Sequence, residues 1–568
     1  MIRGYHFPAA PDSWEELHAG FEWAIPEQYD IATATLDHGD HGRTALRHLD
    51  GDGRAHSLTY GDLDSASDAF AATLATEGVG AGDRVALCLP QCPELLIGYL
   101  AVFELGAEAV PLSMLLGDES VEYALEHSGA TTVVVDGTKF DDLDRPDWPS
   151  VDRTVTVDPG AVPYDVSPTG GLPVDDGDDG SDGDGSGGCS TTVAPVETAP
   201  TDPALVLYTS GSTGRPKGVV QRHQYLIGSL PGYQCYFHLF DPAAARRARV
   251  WSPSEWAWAG ALFNVVFPTL VLGGTVVSTV RRSGFDPDEA LALVERTGVT
   301  HAFMPPTALG KIRSGADPAA YDLSSLQVAQ CGGEKLPPSL HEWGEQALGI
   351  VINEGYGQTE ANALVGNCRA LFEPKRGSMG RAYPGHEVSV VDADGNRLEP
   401  GELGELAVDP TDPVIFEGYL DDEAATEAKY LDTGLFRTDD VAVVDEDGYF
   451  WHRGRRDDLI ITSGYRVSPF EIETALETDP DVAEAVVGGL PDEERGERVR
   501  AYVLLTDEGE RSTATKRRLE SLVRDRVGAH KVPDEIEFLE SLPTTTSDKT
   551  DRSALFPDSG RTGTDDPA

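Results

Sequence analysis

Tyr208-Thr-Ser-Gly-Ser-Thr-Gly-Arg-Pro-Lys217-Gly218 is the stretch on which the reading of this chain turns. It follows Ala204-Leu-Val-Leu207, an apolar run that reads as a buried strand. Its glycines (Gly211, Gly214, Gly218) let backbone N–H groups approach an anion. Its hydroxyls (Thr209, Ser210, Ser212, Thr213) and Lys217 are donors for phosphate oxygens. It is not a Walker A loop, because Gly218 stands where that loop needs Ser or Thr after its Lys. On composition alone, a flexible Ser/Gly loop is the alternative.

Outward from this stretch, helix and strand patterns alternate. Tyr60 to Glu77 reads as a helix and Arg84 to Leu89 as a strand. Glu94 to Leu105 and Ala107 to Leu112 repeat the pair, as do Pro287 to Thr297 and Val299 to Met304. Such alternation predicts an α/β fold with helices covering parallel sheets. Asp175 to Ser190 is Asp-, Gly- and Ser-rich, and an acidic, disordered insertion is expected over 173–200. Ser468-Pro-Phe-Glu471 has a capping-box pattern that starts a helix from Pro469 to Glu477. Strands at Val482 to Leu490 and Val499 to Leu505, then a helix at Thr515 to Val527, complete a small α+β unit. The domain boundary is placed at Arg456/Asp457. The expected division is a domain of 1–456, a second of 457–556, and a disordered tail of 557–568.

The chain has 568 residues, enough for two or more domains, and a net charge of −53. The acidic residues are spread throughout, and the chain has only nine lysines. That field repels nucleic acid and anionic membranes, so neither is an expected partner. The charge predicts adaptation to a salt-rich cytoplasm, where ions screen the repulsion. Six cysteines without a paired CxxC set argue against a disulfide scaffold or a zinc site. The first residues lack an apolar signal core, and Ala261 to Val277 reads as buried core. A cytoplasmic protein is expected.

The full string Tyr208–Gly218 resembles the signature loop of the adenylate-forming superfamily, which includes acyl-CoA synthetases, luciferases and adenylation domains. The resemblance runs from about Phe21 to Ala554, with further motifs in the family's order. It implies a large N-terminal domain of parallel αβ sheets with a small β-barrel, the barrel including Gly385 to Val408, capped by a mobile α+β C-terminal domain. It implies ATP, Mg²⁺ and coenzyme A as co-substrates and cofactor. Gly332-Gly333-Glu334-Lys335 resembles the turn that lies on adenine. Asn353-Glu354-Gly355-Tyr356-Gly357-Gln358-Thr359-Glu360 resembles the second core motif: Tyr356 stacks near adenine, Thr359 bonds the α-phosphate and Glu360 holds Mg²⁺. The family continues that motif with Gly, whereas Ala361-Asn362 follows here. Arg437-Thr438-Asp439-Asp440 resembles Thr-Gly-Asp with Asp439 in the Gly position. Asp440 is assigned to the ribose hydroxyls because Arg455 follows it at the family's interval.

By the same resemblance, Arg455 contacts ribose and phosphate, and Asp457 is the hinge. Ser463-Gly464-Tyr465 lines the pantetheine tunnel, and Arg466 reaches phosphate. Pro543 to Arg552 resembles the terminal motif carrying the adenylation Lys, here Lys549, with Asp548 replacing a Gly. Lys549, Lys217, Thr359 and Glu360 are thereby the expected catalytic set. Phe21 to Glu27 and Ser254-Glu-Trp-Ala-Trp258 resemble medium-chain acyl-CoA synthetases. The implied reaction converts a short- or medium-chain, branched or aryl acid to acyl-AMP and then to acyl-CoA. An enzyme loading a carrier protein is the alternative. Trp256, Trp258, Phe263 and Gly357 are the expected acyl-pocket residues. Gly357 stands where acetate-specific relatives carry Trp, so the pocket floor is expected to be open.

Overall fold

A computed structural model describes residues 4–8, 11–37, 40–142, 148–157, 159, 195–209, 215–281, 284–334, 336–462, 465–492, 495–506, 509–543 and 550–556. Two large sheets frame the N-terminal part. The first runs Gly418–Tyr419, Lys217–Arg222, Pro203–Thr209, Glu108–Pro111, Arg84–Cys88, Thr132–Asp136, Arg153–Val157. It is parallel from Pro203–Thr209 outward to Arg153–Val157, while Lys217–Arg222 is antiparallel to both its neighbours. The second sheet has nine strands. Its parallel centre holds Val351–Tyr356, Val328–Gly332, His301–Phe303, Arg249–Trp251, Thr275–Thr279 and Thr44–Leu49. Both sheets are therefore mixed, with antiparallel strands at their edges. Among these elements, Tyr60–Thr76, Pro93–Glu104 and Pro287–Thr297 follow the sequence pattern closely.

Local chemistry explains the element ends. Helix Pro287–Thr297 starts where the Asp286 side chain accepts from Glu289 N and Pro287 needs no N–H partner. It stops at Gly298, whose φ of 67° few side chains tolerate. Helix Pro93–Glu104 is buried on every face, which fits its apolar run from Leu95 to Phe103. The apolar run Ala261 to Val277 is core: a π-helical turn over Leu262–Val266, helix Phe267–Val271, and strand Thr275–Thr279.

The barrel expected around Gly385 to Val408 takes the form of a four-stranded antiparallel sheet: Val388–Val391, Leu403–Val408, Phe436–Val444 and Phe450–Arg455. A turn at Asp392–Gly395 joins its first two strands, closed by Gly395 N donating to Asp392 O. Beyond it, Ile460–Thr462, Tyr465–Val467, Val482–Asp492, Gly496–Leu505 and Glu535–Leu539 form a smaller sheet. Helices Pro469–Leu476 and Thr513–Arg526 pack on it around Ile472, Leu476, Val487, Val503, Leu519 and Val523. Each such side chain contributes roughly 1.5–3 kcal/mol when buried, so this unit has its own core.

Two local expectations are corrected. Ser468 caps its helix by accepting from Glu471 N, but the reciprocal half of the box is missing. The Glu471 carboxylate is drawn instead to Lys531 and to Arg453, 3.5 Å away. Residues 195–200, expected within the disordered insertion, are bound to the body. Val196 N donates to Glu104 O at 2.9 Å, Tyr29 N to Thr198 O at 2.9 Å and Gln224 N to Pro200 O at 2.8 Å, and Thr198 is buried. This end buries Thr198 and Pro200 against the body. Residues 173–194 and the tail 557–568 lie outside the described residues.

Candidate active site

The phosphate-loop string is the tip of a hairpin. Thr209 pairs with Lys217 and Tyr208 with Gly218, so the two strands deliver Thr209 and Lys217 to the same place. A Cβ on Gly218 would stand 3.0 Å from Val206, so glycine keeps the two strands close. Lys217 Nζ lies 4.7 Å from the centre of the Tyr419 ring and 3.8 Å from Asp422 Oδ2. Tyr419 in turn donates its hydroxyl to Glu360 Oε1 at 2.7 Å. One tyrosine thus orders both the lysine and the carboxylate.

At the C-terminal ends of two adjacent parallel strands, Gly332 is in register with Gly355. A Cβ on Gly332 would meet Gly355 O at 2.6 Å, so this close approach requires glycine. Gly333 has a left-handed φ of 84°, and nothing lies within 4 Å of where its Cβ would stand, which leaves an open face. Glu334 beside it accepts from the Thr307 hydroxyl. This is where ligands bind in open α/β sheets. The Thr359 carbonyl accepts from Gln221 Nε2 and from Tyr225 OH, fixing the motif's end. Just past this motif, Ala363 takes a left-handed φ of 50°.

Asp440 lies directly across its hairpin from Arg455. Its carboxylate accepts from Tyr356 OH at 2.6 Å and Gln358 Nε2 at 2.5 Å, and His452 Nε2 stands 3.1 Å away. Burial pushes its ionisation up, but the His452 hydrogen bond and the charges of His452 and Arg455 outweigh that and hold the carboxyl below its ordinary range. Burial lowers the Arg455 pKa, and the carboxylates of Asp440, Asp439 and Asp458 more than restore it. Asp439 occupies the family's Gly position with a left-handed φ of 63°, its carboxylate 2.6 Å from Lys429 Nζ.

These elements open on a cavity of about 370 Å³. A family model described as AMP-binding enzyme matches residues 36–420, and one described as AMP-binding enzyme C-terminal domain matches 471–549. The chain belongs to the AMP-binding enzyme family. It is 32% identical over 534 residues to the uncharacterised acyl–CoA ligase YtcI of Bacillus subtilis (strain 168), covering 93% of this chain and 96% of that one. It is 31% identical over 560 residues to the acetyl-coenzyme A synthetase of the same organism, covering 96% and 94%. It is 28% identical to the human mitochondrial acyl-coenzyme A synthetase ACSM3, covering 96% and 92%. Among solved structures, the Brucella canis acyl-CoA synthetase matches with a TM-score of 0.69 and 29% identity, covering 97% of this chain and 99% of that one. ATP-bound MatB from Rhodopseudomonas palustris matches with a TM-score of 0.78 and 25% identity, covering 93% and 98%. ATP binding and acid–CoA ligase chemistry come with this membership.

In this AMP-binding enzyme, Thr209, Gly333, Glu334, Gly355, Tyr356, Gly357, Gln358, Thr359 and Trp258 line the cavity together. Trp256 and Phe263 do not. Trp256 is buried, with its carbonyl held by Tyr99 OH at 2.6 Å. Phe263 is buried in the π-helical turn, edge-on to Tyr225 at 4.6 Å and tilted against Phe267 at 5.5 Å. Both are core residues, because the turn that follows Trp258 points Phe263 away from the cavity. Gly357 lines it, but a Cβ there would stand 2.5 Å from Ala363 N, so close backbone approach already demands glycine. Ser210, Gly211, Ser212, Thr213, Gly214, Lys335, Ser463, Gly464 and Lys549 lie outside the described residues. The backbones of Asp457, Tyr465 and Arg466 are described without their side chains. The sequence reading missed Tyr419, His452, Gln330 and Tyr383. Gln330 had a signal, since it sits two residues before Gly332 and shares that strand face. The others had none short of the fold.

Among the described residues, no helix is long and apolar enough to cross a membrane.

Proposed function

We infer that this enzyme joins a short- or medium-chain, branched or aryl carboxylic acid to coenzyme A in two half-reactions. The carboxylate oxygen attacks the ATP α-phosphorus and pyrophosphate leaves. The CoA thiol then attacks the acyl-adenylate carbonyl, losing its proton, and AMP leaves. The observation that carries this reading is the single cavity on which a hydroxyl of the hairpin loop (Thr209), the Gly332–Gly355 opening and Thr359 converge, in a chain matched over nearly its full length by acyl–CoA ligases.

Roles follow from chemistry. Lys217 and Arg455 are cations for the phosphoryl oxygens, on which charge builds during transfer. Asp440, held ionised, accepts the ribose hydroxyls. Glu360 is the residue that would hold Mg²⁺, and the donor set fits. A single carboxylate with one oxygen bonded to Tyr419 leaves the other for a hard cation that takes its remaining ligands from phosphate and water. Bound there, the ion would neutralise phosphate charge. Lys549 serves adenylation from the C-terminal unit, with Arg466 reaching phosphate in that pose; the unit then turns about Asp457 and brings Ser463, Gly464 and Tyr465 to the thiol. The division at 456/457 belongs to this reading, supported by the separate core of the small unit.

The experiment is pyrophosphate release over a panel of acids, with and without CoA, with acyl-CoA followed by mass. Acid-dependent release and stoichiometric acyl-CoA are expected. Acyl-AMP that never reaches CoA but loads a carrier protein would refute the reading. A salt-rich cytoplasm is part of the same proposal, supported by the net charge of −53. In about 0.1 M salt the Debye length is roughly 10 Å, so melting temperature and activity should rise steeply from there to molar salt. Identical melting at both ionic strengths would remove that element.

A further inference from the structure

Gln330 and Tyr383 are two of three cavity-lining residues, Gln358 being the third, that keep a buried polar atom without a hydrogen-bond partner among the described residues. Gln330, on strand Val328–Gly332, is 3% exposed, and Tyr383 is fully buried. Both line the cavity. Gln330 Oε1 and Tyr383 OH are buried and have no hydrogen-bond partner among the described residues. Such atoms are rare in folded proteins, because each forfeits hydration without replacement.

Three glycines keep the space around this pair open. Cβ atoms on Gly332 and on Gly355 would each stand 2.8 Å from Gln330 Nε2, and one on Gly366 would fall on the Tyr383 hydroxyl. Gly355 and Gly366 face each other across an antiparallel pair, so the gap is built by register rather than by a loop. Gln330 Nε2 donates to Cys331 O at 3.3 Å, which leaves Oε1 as the unanswered acceptor. Burial pushes the Tyr383 phenol well above its ordinary value, so it stays neutral and can donate. The walls leading there include Trp258, Phe285 and Phe303, flat and apolar.

We propose that the acid this enzyme activates carries a hydroxyl at the end remote from its carboxylate, donated to Gln330 Oε1 and accepting from Tyr383 OH. This rests on the acid–CoA ligase reading and names its substrate class. A hydroxyl answers an acceptor and a donor at once through a single atom. A site with unpaired polar atoms discriminates strongly against an analogue that lacks their partner, whereas a plain apolar pocket separates acids only by size.

The test compares matched pairs: benzoate with its three monohydroxy isomers, and hexanoate with 6-hydroxyhexanoate. At least one hydroxylated acid should exceed its plain partner in kcat/KM by tenfold or more. Gln330→Leu should erase that preference, lowering kcat/KM for the hydroxylated acid at least tenfold more than for its plain partner. Tyr383→Phe, which keeps the ring and its packing, should reduce the preference in the same direction. Equal or better use of every plain acid by the wild type would overturn the proposal and assign the two atoms to a trapped water. So would a hydroxyl preference that survives both substitutions. Acyl-CoA formed normally without a hydroxyl preference sinks only this inference. Absence of acyl-CoA from every acid would sink the ligase reading and this inference with it.

Discussion

The groups proposed for the nucleotide and those proposed for the acid are held by different rules. Asp440, Arg455, Lys217 and Glu360, proposed for the nucleotide, stand in contact with named partners across paired strands or through Tyr419 and Tyr356. Gln330 and Tyr383, proposed for the acid, line the cavity with polar atoms that have no partner among the described residues. The nucleotide is the same in every turnover, so its site is pre-paired and its residues come in short strings. The acid differs between enzymes, so its site is assembled from side chains on separate elements that share no string.

The largest expected effect would break the comparison from the nucleotide side. Lys549→Ala should slow acid-dependent ATP–pyrophosphate exchange about 10²–10³-fold, the loss seen when one transition-state charge partner goes. Conversion of supplied acyl-adenylate to acyl-CoA should persist. Equal loss in both half-reactions would show that the lysine is not confined to adenylation.

Next in size is a pair from the expected acyl pocket. Phe263→Ala should destabilise the protein by about 3–5 kcal/mol, read by denaturant melts, without reordering the acids it uses. Trp258→Ala should barely change stability yet reorder them, measured as kcat/KM across chain lengths. Reversed results would return Phe263 to the pocket wall.

Gly357→Ala comes third. Its new Cβ presses on the backbone at residues 362 and 363, a strain of about 1–3 kcal/mol. It should lower kcat/KM for all acids alike. A selective loss of long acids would show instead that Gly357 opens the pocket floor.

The smallest effect concerns pH. The Asp440 carboxyl is held below its ordinary value, so its pairing contributes fully above the unfolded carboxylate value of about 3.9. That contribution fades as pH falls through the lowered one. Asp440→Asn should therefore be less stable than the wild type at neutral pH, and its acid unfolding should lack this part of the loss. Identical acid limbs in the two proteins would show that Asp440 is not held ionised by its neighbours.

The same division explains what could be read beforehand. The alternation of helices and strands, the hairpin loop and the Asp440-to-Arg455 spacing were legible. Each depends on residues close in sequence, and the last two are fixed by direct cross-strand pairing. Phe263 was misplaced because one π-helical turn decides which side chains after Trp258 face inward, and Trp256 because it is buried in the core, with its carbonyl held by Tyr99 from a distant helix; composition carries no trace of either. Tyr383 was invisible because it enters the site from a loop and is positioned by Gly366, its neighbour only in space. The terminus of the acidic insertion was set too late because Val196 and Pro200 find the body of the protein, a tertiary choice.

Asp439 shows how far acidity can spread before the backbone stops it. Its φ of 63° lies in a region closed to most side chains and open chiefly to glycine, asparagine and aspartate. A chain drifting toward negative charge can therefore trade glycine for aspartate at such corners in one codon step, and Lys429 waits there to receive it. Glutamate, one methylene longer, has no such licence. Wherever the chain must turn left-handed, enrichment in acid should run through aspartate alone, so the ratio of the two acidic residues becomes a record of backbone shape.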